Sequence, residues 1–439
     1  ALGGTVYGFG SVKNAFFPAS STPMYFIDYW LPQGADIRTT SAQVAVLEQE
    51  VLAIDEVKQV TTVIGQGATR FILTYEPEKN YANYAQLLVE TNTLEELDLA
   101  VAASVRILRE QHPEARYVVK NLENGPAPSA KIEARFSGPD QDTLRRIAAE
   151  AEAIFKADPY TDSIRHDWRE RALTVRPEFL EAQGREAGID RQALNDALLV
   201  QFSGKQVGVF RTGTDLLPIV ARAEQSDRLS PSSLVETEIW SPQFRSYVPI
   251  TQVVSTFETV WEDSLILRRD RLRTITVMAE PLQLSGATAD SIRNRVLGDI
   301  EAIELPEGYR LDWGGEYELA TDAQAGLFGS LPLGLLVMFL ITVFLFNTLK
   351  QPLVIWSTVP LSLIGVAIGL LTLDAPFSFM ALLGVLSLSG MLIKNGIVLV
   401  EQIKLEEDEG HDEYAALVHA CVSRLRPVVM AALTTVLGM

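Results

Sequence analysis

A lysine in the middle of an apolar run constrains this chain more than any other feature. Residues 379–403 read FMALLGVLSLSGMLIKNGIVLVEQI. At about 1.5 Å per residue, a helix of that length crosses a hydrocarbon core of about 30 Å. Lys394 lies inside the run, and Asn395 is the only other strongly polar group at that depth. An unpaired lysine near mid-bilayer costs about 2.5–3.5 kcal/mol, so such a residue normally faces a helix bundle and pairs with an acid. Glu401 shares its helix face but stands roughly 10 Å along the axis. Asp374 precedes the apolar core, and no other carboxylate lies in an apolar run. The acid partner is therefore expected on sequence outside this chain. One reading of Lys394 is a snorkelling anchor, which suits lysines near helix ends. The other is an ion-pathway lysine whose pairing changes when a proton arrives.

The rest of the chain reads as a large soluble region followed by a bundle of spans. The chain opens at Ala1 without an initiator Met and closes at Met439 inside an apolar run, so it is expected to be a piece cut at both ends. Residues 1–14 lack the basic region and small-residue cleavage site of a signal peptide and fit the last turns of a span. In residues 15–320, strand-like runs at Tyr25–Leu31, Val57–Ile64, Phe71–Glu76, Ala115–Leu122, Lys131–Phe136, Thr161–Trp168, Thr274–Met278 and Arg310–Trp313 alternate with helical periodicity. The predicted helices are Ser41–Val51, Leu94–Gln111, Gln141–Ala157 and Ala289–Ile303. This order predicts an α+β protein built of split β-α-β, ferredoxin-like subdomains rather than one long parallel sheet. Residues 173–265 differ, with Gly and Pro punctuating short β-rich runs, and read as an inserted domain with protruding hairpins.

From Gly326 the composition turns apolar, with runs at Gly326–Phe346, Leu353–Leu373 and the Lys394 segment, and a fourth opening at Val428. Lys350 follows the first run, whereas the loop after the second has no Lys or Arg, and Lys404, Arg424 and Arg426 follow the third. The excess of positive charge on the inner side of a membrane then puts residues 15–320 on the outer side. Residues 326–439 hold 5 Lys and Arg against 8 Asp and Glu, so of the chain's 37 and 56 the first 325 residues keep 32 and 48. Such an acidic domain does not suit nucleic acid, which needs a basic face. The one cysteine, Cys421, leaves the outer region without any disulfide. The run EEDEGHDE at 406–413 reads as a solvated linker rather than a metal site, since hard-metal loops need fixed turns and spaced ligands. No cofactor, phosphate loop or nucleophile–His–acid spacing is visible, so an enzyme is not expected.

The segment GMLIKNGIVLVEQIK at 390–404, the RLRP at Arg424–Pro427, LPQGAD at Leu31–Asp36 and LPEGY at Leu305–Tyr309 resemble the C-terminal half of resistance-nodulation-division transporters. These are trimeric, proton-driven efflux pumps of Gram-negative inner membranes. The resemblance implies the end of a span at 1–16, porter subdomains at 17–172, a docking or funnel domain at 173–269 and a return to the porter domain at 270–325. Spans at 326–347, 352–373 and 378–403 would follow, then a cytoplasmic amphipathic helix at 404–425 and a further span from 427 to 439. It implies a homotrimer working with a periplasmic adaptor and an outer-membrane channel, powered by the proton motive force. Lys394, Asn395 and Arg424 match the proton relay, in which the lysine alternates between two acids on a span absent here. Ala431 stands where a relay threonine is usual. Thr434, three residues on, either replaces it or bonds back to its own helix. For substrate, Arg165 matches a basic residue of the entrance pocket, or is an ordinary surface arginine. Val118 and Lys120, in YVVKNL, stand at positions usually aromatic, and the gate loop GQGAT at 65–69 reads as short and without phenylalanine. Phe26 either adds apolar pocket surface or packs in the core. The cargo implied is amphiphilic or hydrophobic compounds. Heavy-metal efflux and a protein or lipid translocation module remain the alternatives.

Overall fold

The computed structural model describes residue 9 and residues 12–126, 128–228, 232–373 and 375–438. It divides into one unit formed by residues 1–169 and 265–439, and a second formed by 170–264.

The first unit opens with β1 (Met24–Trp30), α1 (Ile37–Leu52), β2 (Val57–Ile64), β3 (Tyr84–Thr91), α2 (Leu97–Gln111) and β4 (Arg116–Asn121). The strands form one antiparallel sheet in the order β2-β3-β1-β4, the split β-α-β arrangement. Alternation along β1 decides its faces: Tyr25, Ile27 and Tyr29 are fully buried under the helices. The helices answer at three- and four-residue spacing, with Val44, Leu47 and Val51 on α1 and Ala100, Val101, Ser104 and Leu108 on α2. Asp36 caps α1 by accepting from the Arg38 N–H at 2.8 Å, satisfying one of the helix's open donors.

The same plan follows in β5 (Ile132–Gly138), α3 (Gln141–Ala157) and β6 (Thr161–His166), where it is interrupted by the second unit. That unit contains β7 (Ala172–Phe179), α4 (Glu181–Glu186), α5 (Arg191–Leu198), β8 (Lys205–Thr212), β9 (Asp215–Ala221), β10 (Glu238–Ser241), β11 (Ser246–Pro249) and β12 (Val254–Glu262). Its small core gathers Leu194, Ile239, Ile250 and Val253, while the β8–β9 hairpin leaves Val207, Phe210, Leu217 and Ile219 exposed. The first unit then resumes with β13 (Arg268–Arg269), β14 (Leu272–Pro281), α6 (Ala289–Glu301) and β15 (Arg310–Gly315). β14 pairs with β5 and β6, and β5 with β15, giving the order β6-β14-β5-β15. This repeats the first sheet's order with the insertion between its second and third strands. Phe136, Phe155, Trp168, Ile275 and Val277 fill the core beneath α3 and α6. Each such apolar side chain contributes about 1.5–3 kcal/mol when fully buried.

β15 passes into α7 (Glu316–Phe346) with no linker. Gly315, at φ +69°, makes the turn, and a Cβ there would lie 2.5 Å from the Lys131 carbonyl oxygen, so only glycine fits. α8 (Lys350–Thr372), α9 (Phe379–Asp408) and α10 (Glu413–Gly438) complete four helices long and apolar enough to span a membrane. Phe346, Ile355 and Ile393 form a small core shared by α7, α8 and α9. A Cβ on Gly396 would meet Ile355 at 3.0 Å, which is how α8 and α9 approach closely.

Three expectations differ from this structure. Phe71–Glu76 is not a strand, because Phe71 and Tyr75 lie on Phe26 instead of pairing, and the strand is Tyr84–Thr91. The loop read as short therefore runs from Gly65 to Asn83 and does bring a phenylalanine. Residues 404–425 are not a separate interfacial helix: the stretch to Asp408 extends α9, and α10 runs without a break through Pro427. A proline removes one backbone donor, and α10 tolerates it mid-helix. The span end read at 1–16 lies largely outside the described residues, as does Asp374.

Burial pushes the Asp167 carboxyl, beside Trp168, up to about 6 from its ordinary 3.8, against the opposing effect of the Thr276 N–H, which donates to Oδ1 at 2.8 Å. The folded state then binds this proton more tightly than the unfolded chain. Its contribution to stability is greatest below 3.8 and is lost as pH rises through 6. Asp167→Asn keeps the acceptor for Thr276, so it should raise the unfolding midpoint at pH 7 and flatten its decline from acid to neutral pH in urea titrations.

Candidate functional site

Lys394 lies on α9 next to the buried Ile393 and is itself exposed within the chain. Among the described residues no carboxylate pairs with it. Arg424, from α10, is elsewhere: its Nε and Nη2 donate to Gln402 Oε1 at 3.2 and 2.8 Å. Gln402 is eight residues beyond Lys394 on α9, roughly 12 Å along the axis. The two cations are thus not brought together. Thr434 bonds back to the carbonyls of Met430 and Ala431 at 2.9 and 3.0 Å, a satisfied helix hydroxyl. Asn395, half-buried, follows Lys394 on α9.

α9 is tied to the outer region at its start. The Phe377 N–H donates to the Lys13 carbonyl at 2.7 Å, and the Phe379 N–H to the Phe16 carbonyl at 3.0 Å. Residues just beyond bind the end of β4, where the Ser20 N–H donates to the Leu122 carbonyl at 2.7 Å. From there Glu123 pairs with Lys131 at 2.7 Å, and Lys131 reaches Glu316, the first residue of α7, at 3.7 Å. These carboxylates hold the Lys131 ammonium well above its ordinary value despite burial. Arg135 extends the belt to Glu133 at 2.6 Å and to Glu318 on α7 at 2.5 Å. The belt fastens the second sheet to the first turns of α7.

The residues read as substrate-binding gather where the two sheets adjoin. Phe26, Val118 and Lys120 lie on the helix-free face of the first sheet, Phe26 opposite Lys120 in register. Phe26 is buried and stacks on Tyr75 at 5.5 Å, with Phe71 at 6.2 Å, so it packs in a small core, and Phe71 stays 44% exposed above it. Val118 is buried as well. Lys120 pairs with Asp28 at 3.4 Å. Asp28 also accepts from the Tyr84 hydroxyl at 2.6 Å and from Gln86 Nε2 at 2.9 Å. Tyr75 donates its hydroxyl to Gln86 at 2.6 Å, and burial pushes that phenol up to about 12. Arg165 is no free surface arginine: it pairs with Glu280 at 3.4 Å, and both side chains are largely buried. Arg165 Nη2 and Lys120 Nζ both donate to the Ser129 carbonyl, at 2.9 and 3.5 Å. Beside them a cleft between the sheets is lined by Tyr117, Val119, Asp162, Glu280 and Gln283. Sequence reasoning did not single out Asp28, Tyr75, Gln86 or Glu280, whose roles depend on pairings 11 to 115 residues apart.

The sequence profile of the AcrB/AcrD/AcrF family matches residues 1–439. The cobalt-zinc-cadmium resistance protein CzcA of Cupriavidus metallidurans is 25% identical over 312 residues, covering 70% of this chain and 29% of the relative. The multidrug resistance protein MdtC of Erwinia tasmaniensis is 22% identical over 305 residues, 68% of this chain and 29% of the relative. Among solved structures, a heavy metal efflux pump superposes with a TM-score of 0.77 at 19% identity, over 98% of this chain and 44% of that one. The chain thus spans about three tenths of the length of these curated relatives.

Arg165→Ala should destabilise the second sheet by roughly 3 kcal/mol, because it strands Glu280 in a buried site. Lys120→Ala, at a cation one third exposed, should cost less than about 1 kcal/mol. Hydrogen exchange at β6 and β14 under mild urea measures the difference.

Proposed function

This chain belongs to the AcrB/AcrD/AcrF family of transporters, and on that premise we propose that it is part of an inner-membrane permease driving efflux by proton antiport. The carrying observation is Lys394, a cation in an apolar helix with no carboxylate partner among the described residues. Its partner then comes from another part of the full transporter, and protonation of that acid breaks the pair. The end of α9 near Arg424 faces the cytoplasm by charge pattern, and both sheets with the inserted unit stand in the periplasm. Motion at the relay reaches the sheets by the two ties described, through residues 13–16 and through the Lys131 belt onto α7.

The cargo we propose is amphiphilic compounds. Phe71, 44% exposed over Phe26 and Tyr75, offers an aromatic face for stacking. A heavy-metal cargo is the second reading, favoured by relatives named for cobalt, zinc, cadmium and nickel. Against it, among the described residues the outer region holds no trio of metal-ligand side chains. Met24 and Met278 lie on different sheets. The apolar β8–β9 hairpin supports assembly into a homotrimer with a periplasmic adaptor and an outer-membrane channel.

Lys394→Ala should abolish efflux while leaving expression and oligomeric state unchanged, as read by dye extrusion from energised cells and by size-exclusion chromatography. Retained extrusion in that variant would overturn proton coupling through this residue. Growth of a deletion strain on detergents, biocides and divalent metal salts separates the two cargoes.

A further inference from the structure

The turn between α9 and α10 gathers three side chains of the kinds that ligate transition cations. Glu406 comes from the end of α9, His411 from the turn and His419 from α10. Glu406 Oε2 lies 3.7 Å from His411 Nδ1 and 3.6 Å from His419 Nδ1, and all three ligand atoms lie within 4.8 Å of one another. A tetrahedral cation with ligands at about 2.0–2.2 Å sets its ligand atoms roughly 3.3 Å apart. The carboxylate–imidazole distances thus need only a few tenths of an ångström, and the two imidazoles at most about 1.5 Å.

The local backbone builds this arrangement. Gly410, at φ +95°, ends α9: its N–H donates to the Glu407 carbonyl, and the His411 N–H to the Glu406 carbonyl. Those two bonds form a Schellman cap, which folds the residue after the glycine back onto the one five positions earlier. His411 is thereby set against Glu406 by main-chain geometry. Ala416 and Ala420, fully buried, present the small face of α10 that brings its neighbour His419 in.

Glu406 is also oriented from behind. Gln402 Nε2 donates to Oε1 at 3.0 Å, leaving Oε2 for the imidazoles, and the same Gln402 accepts both bonds from Arg424. A carboxylate held by an outer partner is what a metal ligand requires. His411 Nδ1 also lies 3.2 Å from the Glu406 carbonyl, so a cation displaces a proton there. Glu407, Asp408, Glu409, Asp412 and Glu413 raise the local cation concentration. Glu406 is mostly buried while His419 is 56% exposed, so the site opens to solvent with a coordination position for water.

We propose that Glu406, His411 and His419 bind one borderline divalent cation of the zinc and cobalt class, with Gln402 as a positioning residue that links the site to Arg424. Only its assignment to the cytoplasmic side rests on the proposed orientation. The site is independent of which cargo is moved.

The test uses the purified chain in detergent, in a Cys421→Ser background that removes its one thiol, with Zn2+ titrated against a chromogenic chelator. The expected result is one Zn2+ per chain. His411→Ala, His419→Ala and Glu406→Gln should each weaken binding at least tenfold, and Gln402→Ala by about 10- to 100-fold. Zn2+ should also slow hydrogen exchange over residues 402–419 in the parent and not in His419→Ala. No uptake by the parent, or unchanged affinity in His411→Ala/His419→Ala, overturns the site. So does exchange slowed only elsewhere. Because both histidines are at the surface, circular dichroism of the variants should match the parent, which separates lost binding from lost fold.

Discussion

Taking a cation out of water is costly unless a carboxylate goes with it, and several cations of the two sheets follow that rule. Lys131 has Glu123 and Glu316, Arg135 has Glu133 and Glu318, and Arg165 has Glu280. The Glu123, Glu316 and Glu318 pairs join different elements, the second sheet to the end of β4 and to α7, while Glu133 and Glu280 pair within the second sheet. Lys394 departs from the rule among the described residues. Its environment asks for an acid that none of the described residues brings to it.

The same economy of charge makes the connection between membrane and outer region stiff. β15 runs into α7 through a single glycine, with no slack segment. The belt of Lys131 and Arg135 clamps the first turns of α7 to the sheet, and main-chain bonds near Phe377 fasten the start of α9 to residues 13–16, ahead of β1. Displacement of either helix along its axis is therefore transmitted to a sheet edge rather than absorbed in a loop. The paired sheets of the first unit meet near Ser129, where Lys120 and Arg165 share a carbonyl, so the cleft beside them lies where such displacement would be felt.

Where sequence reasoning went astray, long-range packing is the reason. Phe71, Ile72 and Tyr75 have the alternation and β-propensity of a strand, but their apolar faces are used to cover Phe26. Tyr84–Thr91 pairs on both sides, with β1 and β2, and near-continuous burial hides its alternation. Arg165 could be read as an entrance-pocket residue or as a surface arginine, and its pairing was hidden because Glu280 lies 115 residues away.

Local physical chemistry determined a good deal unaided. Apolar run length set the long helices, three- and four-residue spacing set the α1, α2, α3 and α6 faces, and the strand–helix order set the split β-α-β plan. The solitary charge at Lys394 stood out in the sequence by its desolvation cost alone. Tertiary structure decided which charges meet, because an ion pair depends on separation in space and carries no signature in spacing along the chain. It decided likewise that Phe26 is core, that Arg424 holds Gln402, and that one glutamate and two histidines converge at a turn. Each of these rests on a contact distance of a few ångströms, which only the folded chain can supply.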